Sequence, residues 1–238
     1  MLSMMNRSKA QIIILGLLVS WLISGCAGYQ TVVEKPAEEL VDEGIHHFDK
    51  GNYKKAIDSF EQLKDWYPFS KYAILAELKI ADAHFQLGQY PDAIFTYEEF
   101  EKLHPRNEAI PYVIYQIGMS HYLQVDTVDR DQSSAQKAVA AFDRLIRQYP
   151  QDSYAHLAYG YVDKCNKSMS GHEFYVGIYY YRIKKYRAAL GRFQKLIKDY
   201  PDVGIHTKAL SYINNCETLL KNQKGTEKKK DELYFMPE

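Results

Sequence analysis

Apolar residues recur along this chain at fixed distances from proline. Pro68, Pro105, Pro150 and Pro201 each follow a ring-bearing residue: Tyr67, His104, Tyr149 and Tyr200. Twelve residues before each proline stands an alanine: Ala56, Ala93, Ala138 and Ala189. Eight before it stands an aromatic: Phe60, Tyr97, Phe142 and Phe193. Five before it stands Leu63, Phe100, Leu145 or Leu196. Spacings of three and four put these side chains on one helical face. The proline ends that helix, because the residue before a proline avoids the α region.

A second helix precedes the first in each unit. Gly44, Ala81 and Gly177 each lie twelve residues before the marker alanine. Gly51-Asn52-Tyr53, Gly88-Gln89-Tyr90 and Lys184-Lys185-Tyr186 stand just before it. The pattern predicts helix A, a tight turn and helix B, with a small residue letting the helices approach and the aromatic filling the adjacent space. This is the tetratricopeptide (TPR) pattern. The predicted fold class is therefore all-α, a TPR-type helical-repeat solenoid of about five helix-turn-helix units.

Two departures from the period carry information. Gly118 and Ala138 are twenty apart, and the eight extra residues fall in the polar stretch Asp126 to Ser134, predicted to be a protruding A–B loop. Pro150 and Gly177 are 27 apart, where the preceding repeats have 13. The 14 extra residues make close to four turns at about 3.6 residues each, so one helix can lengthen and keep its inward face. A long helix is expected from about Tyr154 to about Lys184, with Gly171 as a possible bend. The repeats fall at about 37–70, 71–107, 108–152, 153–203 and a capping segment 204–223. Residues 224–238 are charged, low in apolar periodicity and expected to be disordered.

The N-terminus reads differently. Arg7 and Lys9 precede an apolar run from Ile12 to Ile23, followed by Ser24-Gly25-Cys26. The run is shorter than the roughly 20 apolar residues a spanning helix needs. It fits a signal peptide over residues 1–25. An aliphatic residue, two small residues and a cysteine at its end resemble the lipobox of bacterial lipoproteins, which implies a diacylglyceryl anchor on Cys26. Ala27, where an aspartate commonly retains such proteins in the inner membrane, points to the outer membrane and its periplasmic face. Residues 26–36 read as the lipidated cysteine and a tether.

Charge and chemistry narrow the function. Removing residues 1–25 takes away Arg7 and Lys9 and no acidic residue, leaving 28 basic and 30 acidic side chains, net −2. That is not the footprint of a nucleic-acid binder. Cys165 and Cys216 form no framework, and two buried small hydrophobes suit them somewhat better than a bridge. No Cys/His set has metal spacing, and His46 and His47 are adjacent on a helix and point to different faces. No HExxH, GxSxG or glycine-rich phosphate loop is present. The chain reads as a binding protein, not an enzyme, with no cofactor or metal beyond the lipid on Cys26.

Four stretches together resemble the BamD family, TPR lipoproteins of the outer-membrane β-barrel assembly machinery. They are Tyr67-Pro68-Phe69 with Tyr72; His104-Pro105 followed by Pro111-Tyr112-Val113 and Tyr115; Asp129-Arg130-Asp131 in the insertion; and the long-helix segment through Asp199-Tyr200-Pro201. Their order and the insertion lengths carry the likeness over nearly all of the mature chain. The resemblance implies contact with the POTRA region of a BamA-like barrel protein, with other assembly lipoproteins, and with aromatic-ended C-terminal segments of unfolded outer-membrane proteins. It puts Arg192 at a partner contact, where a guanidinium can bind a carboxylate in bidentate fashion; read by itself, Arg192 is equally an ordinary solvated helix arginine. Asp129 and Arg130 are further partner-binding candidates. Tyr67, Phe69, Tyr72, His84 and Phe85 are candidates for an aromatic-lined substrate groove, although packing of the repeats also uses the positions of Tyr67 and Phe85. The alternative is a TPR lipoprotein scaffold of another envelope system, in peptidoglycan coordination or secretion.

Overall fold

The computed structural model describes the backbone of residues 34–234 and the side chains of residues 34–226. The expected signal peptide, Cys26 and most of the expected tether lie outside the described residues. Nine helices follow one another among those residues: α1 Ala37–Asp49, α2 Tyr53–Trp66, α3 Ala73–Gln86, α4 Tyr90–Leu103, α5 Ile110–Tyr122, α6 Ser133–Gln148, α7 Ser153–Arg182, α8 Tyr186–Asp199 and α9 His206–Tyr234. Each packs against the helix before it and the helix after it, and α5 also touches α7. The fold is a helical repeat of the tetratricopeptide type, with four helix pairs and a final single helix.

The proline rule explains where the B helices stop. Tyr67, His104 and Tyr149 cap their helices with ψ of 56°, 53° and 56°, and Tyr200 with ψ of 144°, all outside the α region. The A–B turns share one geometry. Gly51 and Gly88 adopt φ of 73° and 71°, and Lys184 takes the same place with φ of 61°. Asn52, Gln89 and Lys185 then donate their backbone N–H to His47, His84 and Tyr180 at 2.8, 3.0 and 2.9 Å, closing each helix end. Across three of these turns the same ring pair meets edge to face: Phe48 with Tyr53, Phe85 with Tyr90 and Tyr181 with Tyr186.

Three apolar cores run in sequence. The first holds Leu40, Phe60, Leu63 and Ile80, and the second holds Tyr97, Phe100, Val113, Ile114, Phe142 and Leu145. The third holds Phe193, Leu196, Ala209 and Cys216. The 30-residue α7 links the last two: Ala155, Ala158, Cys165 and Met169 belong to the second core, and Phe174 and Ile178 pack on the third. Cys165 and Cys216 therefore sit in different cores, and both are free. Burial pushes the Cys165 thiol up to about 11.

One expectation is sharpened and one is corrected. The insertion is an exposed loop over residues 126–131, but it is held to α7. Gln132 is buried and its amide nitrogen donates to the carbonyls of Thr127 and Arg130, both at 3.1 Å. Its amide oxygen accepts from Ser168 of α7 at 2.7 Å, and His172 Nδ1 meets the Val128 carbonyl at 2.7 Å. A Cβ at Gly171 would lie 3.1 Å from Val128 Cγ1, so the glycine permits the loop's close approach. The correction is at the C-terminus. The last helix does not end at Gln223 but continues to Tyr234, through residues expected to be disordered. Lys, Glu and Gln are good helix formers, and extending an existing helix avoids the cost of nucleation.

Candidate functional site

Arg192 lies on α8, one residue before Phe193, whose ring is fully buried in the third core. Its Nη1 donates to Oε2 of Glu173 at 3.0 Å, and Lys195 Nζ donates to Oε1 of the same carboxylate at 2.5 Å. Glu173 comes from α7 and is only 4% exposed. Burial pushes this carboxyl up, but the hydrogen bonds and charges of Lys195 and Arg192 outweigh that and hold it below the usual glutamate range. The hydrogen bond to Glu173 in turn raises Lys195. The Arg192 side chain keeps 39% exposure, so a buried carboxylate positions a guanidinium that still reaches solvent. The sequence pattern missed Glu173 and Lys195. The signal was available, because Glu173 stands four residues before Gly177 on the inward face of α7.

Asp129 and Arg130 sit in the clasped loop between α5 and α6. Thr127 Oγ1 donates to Asp129 Oδ1 at 2.5 Å, and that bond chiefly lowers the fully exposed Asp129 carboxyl. The Ser133 hydroxyl donates to Asp131, which likewise lies low. Arg130 is exposed. These residues therefore project from a loop fixed to α7, but on a different segment from Arg192.

The five groove candidates divide between the two ends of α3. Tyr67 and Tyr72 are half-buried and pack on the first core at the α2–α3 connection. Lys71 Nζ lies 4.7 Å from the centre of the Tyr72 ring. Phe69, between them, is fully exposed at 101%. His84 lies twelve residues beyond Tyr72, about 18 Å along the helix at 1.5 Å per residue. Its Nδ1 meets Gln89 Oε1 at 2.9 Å. Phe85 turns to the second core and to Tyr90, as its position in the repeat requires. The set is therefore not one aromatic patch. An extended peptide of about six residues at 3.3 Å each would span from Tyr72 to His84.

A buried polar cluster between the second and third repeats was also missed. Asp82 is 6% exposed, and its Oδ1 accepts from the Tyr97 and Tyr112 hydroxyls, each at 2.7 Å. Lys79 Nζ donates to Oδ2 at 3.0 Å, and Gln116 donates to the Tyr112 hydroxyl at 2.9 Å. Burial, reinforced by the Asp82 charge, raises both tyrosines far above their ordinary range, so both are neutral donors. Arg144 of α6 grips Glu101 of α4 with both terminal nitrogens across the same inter-repeat contact. Among the described residues no group of His, Cys, Asp and Glu could hold a metal ion, and no helix is long and apolar enough to cross a membrane. The arrangement offers fixed charges and exposed rings for binding.

Comparison with known proteins places the chain among relatives. The family model YfiO, described as an outer membrane lipoprotein, matches residues 33–233. A protein of Caulobacter vibrioides named outer membrane protein assembly factor BamD is 30% identical over 209 residues, covering 86% of this chain and 68% of that one. The Vibrio cholerae protein of the same name is 29% identical over 206 residues, covering 82% and 86%. Among solved structures, the TPR2AB domain of yeast Sti1 aligns over 77% of this chain and 70% of its own, at 13% identity and a TM-score of 0.49.

Proposed function

This chain belongs to the outer membrane lipoprotein family YfiO, whose relatives carry the name outer membrane protein assembly factor BamD, and from that we propose a specific role for it. It serves as a non-catalytic subunit of the β-barrel assembly machinery, held by the lipid on Cys26 to the periplasmic face of the outer membrane. It binds the POTRA region of a BamA-like barrel protein and receives C-terminal segments of unfolded outer-membrane proteins. Other lipoproteins of the machinery are further partners. No cofactor takes part beyond the covalent lipid.

The observation that carries the reading is the guanidinium of Arg192, positioned by a buried carboxylate and still 39% exposed. An arginine presented this way has its fork pre-organised for a second carboxylate. Asp129 and Arg130 add charges of both signs on a rigid loop. Phe69, fully exposed beside Tyr67 and Tyr72, supplies a ring for an aromatic-ended peptide laid along α3 toward His84.

Two substitutions test this role. Arg192→Ala should weaken binding of a purified POTRA fragment by about tenfold, which is about 1.4 kcal/mol. Lys195 still neutralises Glu173 in that variant, so helical content should hold. Charge reversal at Arg192 is a poorer probe, because it sets a second carboxylate against buried Glu173. Unchanged affinity for Arg192→Ala in surface plasmon resonance would refute the assigned contact. Cys26→Ser should move the protein from the membrane pellet to the soluble periplasmic fraction, since one hydrophobic anchor of several acyl chains is removed. Persistence in the pellet after a high-salt wash would contradict the lipid anchor.

A further inference from the structure

A groove of about 500 Å³ runs beside the second half of α7. Val128 of the clasped loop closes one end at Gly171. Tyr175, Ile178 and Tyr179 form its floor, Tyr212 of α9 stands opposite, and Arg182 lies at the far end. Tyr175 and Tyr179 are 51% and 56% exposed, although both carry large rings. Neither Arg192 nor Glu173 lines it.

The two ends carry opposite charge. Asp126, Asp129 and Asp131 outnumber Arg130 around Val128 in the loop. Arg182 is followed by Lys184, Lys185 and Arg187, all exposed. None of these four cations has an ion pair among the described residues. Lys184 even holds the left-handed turn position that glycine fills at Gly51 and Gly88. A flat anionic membrane would meet the three aspartates at one end, and so would a nucleic acid. A short peptide with its own charge gradient fits both ends at once.

The length sets the size of that peptide. Gly171 and Arg182 are eleven residues apart on one helix, about 17 Å at 1.5 Å per residue. An extended strand of about five residues at 3.3 Å each covers the same distance, and one charged residue flanking each end makes a ligand of about seven. Tyrosine floors suit such a ligand, because the rings bury apolar side chains while the hydroxyls bond a peptide backbone. We propose that this groove binds an extended segment of a partner protein, with apolar side chains on Tyr175, Ile178 and Tyr179, an acidic residue at Arg182 and a basic residue at the Val128 end. The site is additional to the Arg192 contact and does not depend on it.

The test uses the whole mature protein and end-blocked, fluorescein-labelled peptides, so that no terminal carboxylate contributes. The probe is Lys-Ser-Leu-Ser-Phe-Ser-Glu, read by fluorescence anisotropy. It should bind saturably, and the same peptide ending in Lys should bind about tenfold more weakly. Arg182→Glu should shrink that preference severalfold, with Lys184, Lys185 and Arg187 still present, and the exposed side chain has no ion pair to lose among the described residues. Tyr179→Ala should weaken both peptides, and Arg192→Ala should change neither. Circular dichroism checks that each variant keeps its helical content. No saturable binding, or equal affinity for the two peptides, or a preference unaltered by Arg182→Glu, would overturn the proposal. Since Arg192→Ala reads only the POTRA contact, failure of one site is distinguishable from failure of the other.

Discussion

Replacing Gly118 by alanine should destabilise the protein by about 1–3 kcal/mol, while the same change at Gly160 should stabilise it by up to about 1 kcal/mol. Both glycines lie inside helices, where alanine is the better helix former. They differ in what a new methyl group meets. At Gly118 a Cβ would lie 2.5 Å from Cε1 and 2.7 Å from Cδ1 of Phe142. That ring is fully buried, stacked on Tyr161 at 5.6 Å and tilted against Tyr115 at 5.9 Å, so it has little room to retreat. At Gly160 nothing lies within 4 Å. The clash recurs at Gly44 with Phe60 and at Gly177 with Phe193, so all three contacts belong to one packing rule. Repeat two keeps Ala81 instead, beside Tyr97, whose hydroxyl is anchored by Asp82. Urea midpoints followed by circular dichroism give the comparison. Phe142→Leu should relieve part of the Gly118→Ala effect, and equal midpoints for Gly118→Ala and Gly160→Ala would refute the close-approach account.

Asp82→Leu should destabilise the second and third repeats by about 2–5 kcal/mol, because each buried hydroxyl that loses its acceptor costs about 1–3 kcal/mol. Two hydroxyls depend on Asp82 Oδ1, those of Tyr97 and Tyr112. Tyr97 has no solvent exposure, so water cannot replace the acceptor there. Asp82→Asn keeps an oxygen for both tyrosines and loses only the charge partner of half-exposed Lys79, about 1 kcal/mol or less. The expected order of unfolding midpoints is therefore native, then Asn, then Leu. Near-ultraviolet circular dichroism should show the tyrosine environment lost in Asp82→Leu and kept in Asp82→Asn. Matching midpoints for the two variants would remove the network from the account.

The repeats were legible because one contact fixes several spacings at once. Gly177 must be small where α7 meets α8, Phe193 must fill the space against it, and Pro201 must end the helix. Any chain with those offsets builds the same pair. The length of α7 followed from the same register, since 14 added residues return the inward face to its place. What failed were features without periodicity. The insertion reads only as a polar, protruding loop, yet Gln132 is buried with its amide bonded to the Thr127 and Arg130 carbonyls, and Val128 lies against Gly171. The tail lacks an apolar stripe, yet it continues a helix already formed. Arg192 came from the family resemblance, which implies a contact arginine at that distance before Pro201. Its partner Glu173 lies 19 residues away across a turn, and the packing of α7 on α8, with its close Gly177–Phe193 contact, brings the two together. Tyr67 and Phe85 illustrate the limit of reading a surface from aromatic content, since repeat packing uses both.

The measurement closest to the central claim is affinity purification of the tagged, full-length chain from outer membranes in mild detergent. The account predicts recovery of a POTRA-containing barrel protein by mass spectrometry, with its yield reduced in Arg192→Ala. Recovery of peptidoglycan-binding or secretion proteins, with no POTRA-containing barrel among them, would contradict it.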